Sequence, residues 1–160
     1  MRVNADFITE IMRAALEQAE VALKLGEVPV GAAVGYRGKL LATAHNEMEA
    51  NRDATSHAEM LVIRRASEKI KDWRLVDTLL CVTLEPCTMC AGAIRQARIP
   101  VVVFGAADPR MGAFGSIYDL SQDSRLGPPV RVISGVESDA CLQLLQEFFK
   151  QVRLAGKDRQ

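Results

Sequence analysis

The stretch TLEPCTMCAGAI, Thr83 to Ile94, sets two cysteines three positions apart directly after a proline, in a 160-residue chain with only four cysteines and two histidines. Cys87 and Cys90 at this spacing fit four chemistries: a redox pair, a structural metal clip, a catalytic metal site, or plain packing. At a helix start, residues i and i+3 are neighbours, so both sulfurs face one side of the first turn. A helix N-terminus also favours the thiolate form that binds metal. A thioredoxin-type pair would follow the first strand of its unit, with an aromatic residue ahead of it. Here Glu85 and Pro86 come first, and a proline suits a rigid turn into a helix.

A bound metal needs further ligands. His45 ends a strand-like segment, whereas His57 lies at a second expected helix start, in TSHAEM. Cys81 alternates within an apolar strand and Cys141 falls in the last helix, and both read as small buried residues. His57, Cys87 and Cys90 make three ligands, the number for a catalytic zinc site that leaves one position open to water; a closed structural site takes four. Glu59, two positions after His57, has two readings. Ser56-x-x-Glu59 has the form of a capping box. Otherwise Glu59 stands beside the open position and moves a proton between water and substrate.

The elements that must position these residues follow from periodicity. Helical spacing of apolar residues over 7–25 predicts a first helix, stopped by Gly26. Segments 28–34 and 39–45 read as a hairpin turning at Tyr36-Arg37-Gly38. A polar loop leads to a helix from about Ser56 to Ile70. TLLCVTL (78–84) predicts a buried strand, then a helix from about Thr88 to Ala97 and a strand at 101–106. A glycine-rich loop (107–116), a short strand at 130–133 and a helix from about Ser138 to Arg153 complete the chain. This order predicts one α/β domain over 1–160, with helices on both faces of a sheet.

Half the residues are hydrophobic (49%) and a quarter charged (25%), the balance of a soluble globular chain. Twenty basic and twenty acidic side chains cancel, so an RNA or DNA partner would need a local basic patch. Asp6 and Glu10 break any signal-peptide pattern, and no apolar run approaches the roughly 20 residues of a membrane span. Four cysteines without an export signal point to the cytoplasm.

His57-x-Glu59 followed by Pro86-Cys87-x-x-Cys90 matches a known signature of zinc nucleobase deaminases. The chain resembles the cytidine/deoxycytidylate deaminase superfamily and, within it, the bacterial tRNA-specific adenosine deaminases. GEVPVGA (26–32), AHN (44–46), HAEM (57–60), WRL (73–75), TLEPCTMCAGAI (83–94), VVFGAADPRMGAFGS (102–116) and LLQEFFK (144–150) carry the likeness. The resemblance implies a cytidine-deaminase-like three-layer α/β/α fold with a mixed five-stranded sheet, one zinc ion per subunit, and a homodimer. It implies that His57, Cys87 and Cys90 hold the zinc and that Glu59 carries the proton as adenosine becomes inosine. Asn46 would bond the target base, with Ala58 beside it and Val28 and Val30 lining the pocket from the first strand. Phe148, Phe149 and Arg153 would meet nucleotides flanking the base in a tRNA anticodon stem-loop, where the base can leave the stack. The bland reading of the two phenylalanines is an apolar helix face docked on the sheet.

Basic residues at Arg95, Arg98, Arg110, Lys150, Arg153, Lys157 and Arg159 are the candidate phosphate contacts. The chain departs from the family pattern at Glu47, where arginine is usual, at Ala54 and Ser56, and at Pro100-Val101, where a basic residue is common. The competing readings are a free-base or nucleotide deaminase and a non-catalytic zinc-stabilised module.

Overall fold

A computed structural model describes residues 3–157 of the chain. The first helix, α1 (Ala5–Lys24), begins at Asn4, whose side chain accepts a hydrogen bond from the Phe7 N–H at 2.8 Å. Its buried stripe is Phe7, Ile11, Met12, Ala15, Ala19 and Ala22. Gly26 then takes φ +76°, a left-handed turn that ends the helix. β1 (Gly31–Tyr36) and β2 (Lys39–His45) form the expected hairpin. A single turn of helix, α2 (Met48–Asn51), precedes α3 (Ala58–Ile70). β3 (Thr78–Leu84), α4 (Thr88–Gln96) and β4 (Val101–Ala106) make a strand–helix–strand unit. β5 (Arg131–Ser134) and α5 (Ser138–Lys157) follow.

The sheet order is β2-β1-β3-β4-β5. β1 pairs antiparallel with β2 and β3, while β3–β4 and β4–β5 are parallel, so the sheet is mixed as expected. Alternate residues face opposite cores. Ala33, Leu79, Cys81, Val101 and Val103 pack with Phe7, Ile11 and Met12 of α1, on the side where α5 also lies. Ala32, Val34, Leu80, Val82, Val102 and Phe104 pack with Val62 of α3 and Ile94 of α4. The result is a three-layer α/β/α sandwich. The central parallel pair is buried almost throughout because it is covered on both faces, and its side chains are apolar apart from Thr78 and Thr83.

The structure departs from four local expectations. The first strand begins at Gly31, not Val28: Pro29 offers no N–H, and the Val30 N–H turns back to the Val28 carbonyl at 2.8 Å. α2 replaces part of the expected polar loop, and it forms because the buried Glu27 carboxylate accepts from the N–H groups of Glu49 and Ala50. Ser56 and Glu59 form no capping box. His57 is the cap residue of α3, and the Ser56 hydroxyl donates instead to Asp53 at 2.9 Å. The last helix also runs past Arg153. Asp158 and Arg159 of the expected tail, and the side chain of Lys157, lie outside the described residues. Among those residues no helix is long and apolar enough to cross a membrane.

Candidate active site

One edge of the sheet gathers the chemistry. In the parallel strands β3 and β4 this edge holds the carboxyl ends, where α/β sheets bind ligands. β1 runs antiparallel to β3, so residues 28–30 arrive at the same edge, and its pairing of Gly31 with His45 brings Asn46 there too. α3 and α4 both start at this edge, with His57 and Cys87 as their cap residues.

The His57 Nδ1 stands 3.6 Å from Cys87 Sγ and 3.5 Å from Cys90 Sγ. All three donor atoms lie within 4.8 Å of one another. Tetrahedral zinc, with Zn–S of about 2.3 Å and Zn–N of about 2.0 Å, sets such atoms about 3.5 Å apart, so the donor set fits that ion. Among the described residues this is the one His/Cys/Asp/Glu group of three or more gathered closely enough to hold a metal. Hydrogen bonding from Cys90 pulls the Cys87 thiol down to about 4, with His57 adding to the effect against the opposing cost of burial. The Cys90 thiol moves up for the complementary reason, its bond to Cys87, and the same sulfur raises His57. Cys81 and Cys141 are buried thiols on other walls, pushed up by burial, Cys141 to about 11.

Glu59 is the second residue of α3, in its first turn, and is 4% exposed. Burial lifts its carboxyl to about 7, opposed by its own backbone N–H and by His57. It lines a cavity of about 140 Å3 together with Val28, Val30, Asn46, His57, Ala58 and Cys87. The residues assigned to zinc, proton transfer and the base thus meet in one place. Asn46 is tied by its Nδ2 to the Val28 carbonyl (3.3 Å) and by its Oδ1 to the Met48 N–H (3.2 Å). An amide keeps a second hydrogen and a second lone pair beyond those bonds.

A larger groove of about 660 Å3 shares Val28, Leu84, Asp108 and Met111 with that cavity and extends along α5 past Leu142, Phe149 and Arg153. Phe149 is 47% exposed there. Phe148 lines neither space. It is half-buried, with its ring edge-on to Phe149 at 5.4 Å. Of the expected basic contacts, Arg110 and Arg153 border the groove. Arg95 does not: it is 7% exposed and donates to the carbonyls of Ser121, Asp123 and Gly127. Arg98, past the far end of α4, lies over the Trp73 ring at 5.7 Å. Glu47 turns away from the cavity, with Arg65 and His45 each 3.7 Å from its Oε1.

Two residues of this edge escaped the sequence reading. Glu27 and Glu85 are 3% and 2% exposed, and backbone N–H groups satisfy both. Their signal was a lone carboxylate beside an apolar strand segment, which surface residues also give.

Fold and site together define a nucleobase-deaminase type of centre. A family model for MafB19-like deaminases matches residues 8–153. A tRNA-specific adenosine deaminase of Bacillus subtilis is 43% identical over 91% of this chain and 91% of its own length. A chain from structural studies of A-to-I editing by tRNA:A34 deaminases superposes with a TM-score of 0.83 at 39% identity, covering 86% of this chain and 99% of that one. A guanine deaminase of Nitrosomonas europaea gives a TM-score of 0.74 at 25% identity, over 88% and 83%. The chain belongs to the MafB19-like deaminase family, alongside the tRNA-specific adenosine deaminases.

Proposed function

We propose that this deaminase hydrolyses adenosine to inosine at the wobble position of a tRNA anticodon, with zinc held by His57, Cys87 and Cys90. The observation that carries the reading is the triangle of those three donors with buried Glu59 on the wall of the same small cavity. When bound, zinc lowers the pKa of water from about 15.7 to near 7, so hydroxide is available at neutral pH. Glu59 takes one proton from the attacking water and delivers it to ring N1 as the oxygen bonds C6, then carries the remaining hydroxyl proton to the amino group, which leaves as ammonia when the C6–N bond breaks. A carboxylate on the wall beside that water can both accept the proton and give it back. Asn46 holds the base edge, while Val28, Val30 and Ala58 exclude water around it. The groove past Phe149 and Arg153 receives the flanking nucleotides of a loop whose base has left the stack. A homodimer, a single catalytic domain and a cytoplasmic setting belong to the same reading.

The test is inosine formation on an anticodon stem-loop carrying wobble adenosine, run beside free adenosine, guanine and cytosine. Conversion of the stem-loop alone, abolished by Glu59→Ala with zinc retained, is the expected outcome. Conversion of guanine with an untouched stem-loop would discard the tRNA assignment, and zinc binding with no conversion at all would discard catalysis.

A further inference from the structure

Glu85 sits between the end of β3 and the start of the cysteine helix, where it plays no part in the chemistry above. Its side chain is 2% exposed, and among the described residues no cation lies within ion-pair distance of it. The charge is satisfied entirely by the loop that follows β4. Oε1 accepts from the Asp108 N–H at 3.2 Å and from the Ser116 hydroxyl. Oε2 accepts from the N–H groups of Phe114 (3.1 Å) and Ser116 (3.2 Å). One carboxylate thus gathers both ends of a loop that is distant in sequence.

The loop is built to pass that constraint on. Asp108, held by its N–H, accepts at its own Oδ1 from the N–H groups of Arg110 (3.0 Å) and Met111 (3.2 Å). This turn sets Asp108 and Met111 on the wall shared by the small cavity and the groove. At Gly112 a Cβ would collide with the Glu85 carboxylate, so loop and carboxylate are mutually fitted.

We infer that Glu85 is a positioning residue for substrate selection: it fixes the 108–116 loop, and through Asp108 and Met111 the passage between the base cavity and the groove. The inference rests on the proposed function for its substrate. Glu85→Gln has nearly the same shape, yet its amide NH2 must face donors. Turned toward Asp108, it meets that N–H, while the Ser116 hydroxyl can rotate to accept; turned the other way, it meets two N–H groups. The variant therefore frees the Asp108 end of the loop and leaves the cysteine helix in place.

The experiment compares the parent, Glu85→Gln and Gly112→Ala as zinc-loaded full-length proteins. Trypsin cleavage after Arg110, located by mass spectrometry, should rise on the order of tenfold in both variants, the factor that 1.4 kcal/mol of lost closure confers. Zinc content and cleavage elsewhere should stay at the parent level. In steady-state kinetics the stem-loop KM should rise by a larger factor than kcat falls. Unchanged cleavage after Arg110 would overturn the inference, as would cleavage rising uniformly with zinc lost, the mark of a general structural role. Equal losses in kcat and kcat/KM at constant KM would overturn it as well. A parent that makes no inosine would defeat the proposed function alone, because the cleavage pattern reads the loop without substrate.

Discussion

Glu59 and Glu85 are both buried carboxylates on one cavity wall, and their surroundings give them different tasks. Glu85 accepts hydrogen bonds from three N–H groups and a hydroxyl, so it anchors a loop. Glu59 is burdened chiefly by burial, which lifts it to about 7 and leaves it a proton to exchange. In protein stripped of metal this has a signed consequence. From the ordinary value of 4.5 up to about 7, the folded protein keeps a proton that the unfolded chain has released. The Glu59 contribution to stability is therefore complete below 4.5 and is lost as the pH rises through about 7. Glu59→Gln removes that loss. The melting temperature of the variant, relative to the parent, should climb across this window with both proteins stripped of metal. A flat difference would show that the carboxyl is not displaced by burial.

Elements are placed by close approach as much as by apolar faces. Gly31, at the start of β1, has no room for a Cβ, because the backbone of α1 at Ala15 and Ala19 occupies that space. Gly92, within α4, has open space at the same position. Gly31→Ala should cost about 1–3 kcal/mol through overpacking, whereas Gly92→Ala should gain up to about 1 kcal/mol of helix propensity. Urea unfolding midpoints read both, and a Gly31→Ala variant as stable as the parent would refute the tight α1–β1 contact. Element types were legible where a local pattern decides them. TLLCVTL and VVVFGA are rich in apolar and β-branched residues, and they form β3 and β4 over the expected residues. The 28–30 segment read as strand because Val28 and Val30 are β-formers, yet Pro29 and a turn back to Val28 keep it out of the sheet. α2 was illegible because its stabilising carboxylate, Glu27, comes from far along the chain.

For the whole molecule, twenty basic and twenty acidic groups cancel, so no overall field draws in RNA. Under the proposed function a local patch must supply the attraction, and among the described residues Arg110 and Arg153 are basic side chains on the groove walls. Arg110→Ala and Arg153→Ala should each raise the stem-loop KM. Each should also flatten the slope of log affinity against log salt by about 0.7 to 1, as one phosphate contact is lost. A salt slope unchanged in both would remove the groove from RNA binding. The sequence by itself placed a histidine and a CxxC pair at helix starts, with a glutamate two positions after the histidine, because these spacings are local. It also determined the order of strands and helices, since periodicity is local. Only the tertiary structure decided that Arg95 is spent inside on loop carbonyls and that Phe149, not Phe148, faces the groove. It alone decided that Glu85 holds the 108–116 loop. Each of these depends on which distant backbone groups packing brings against a side chain, and no residue's own type or neighbours in the chain carry that information.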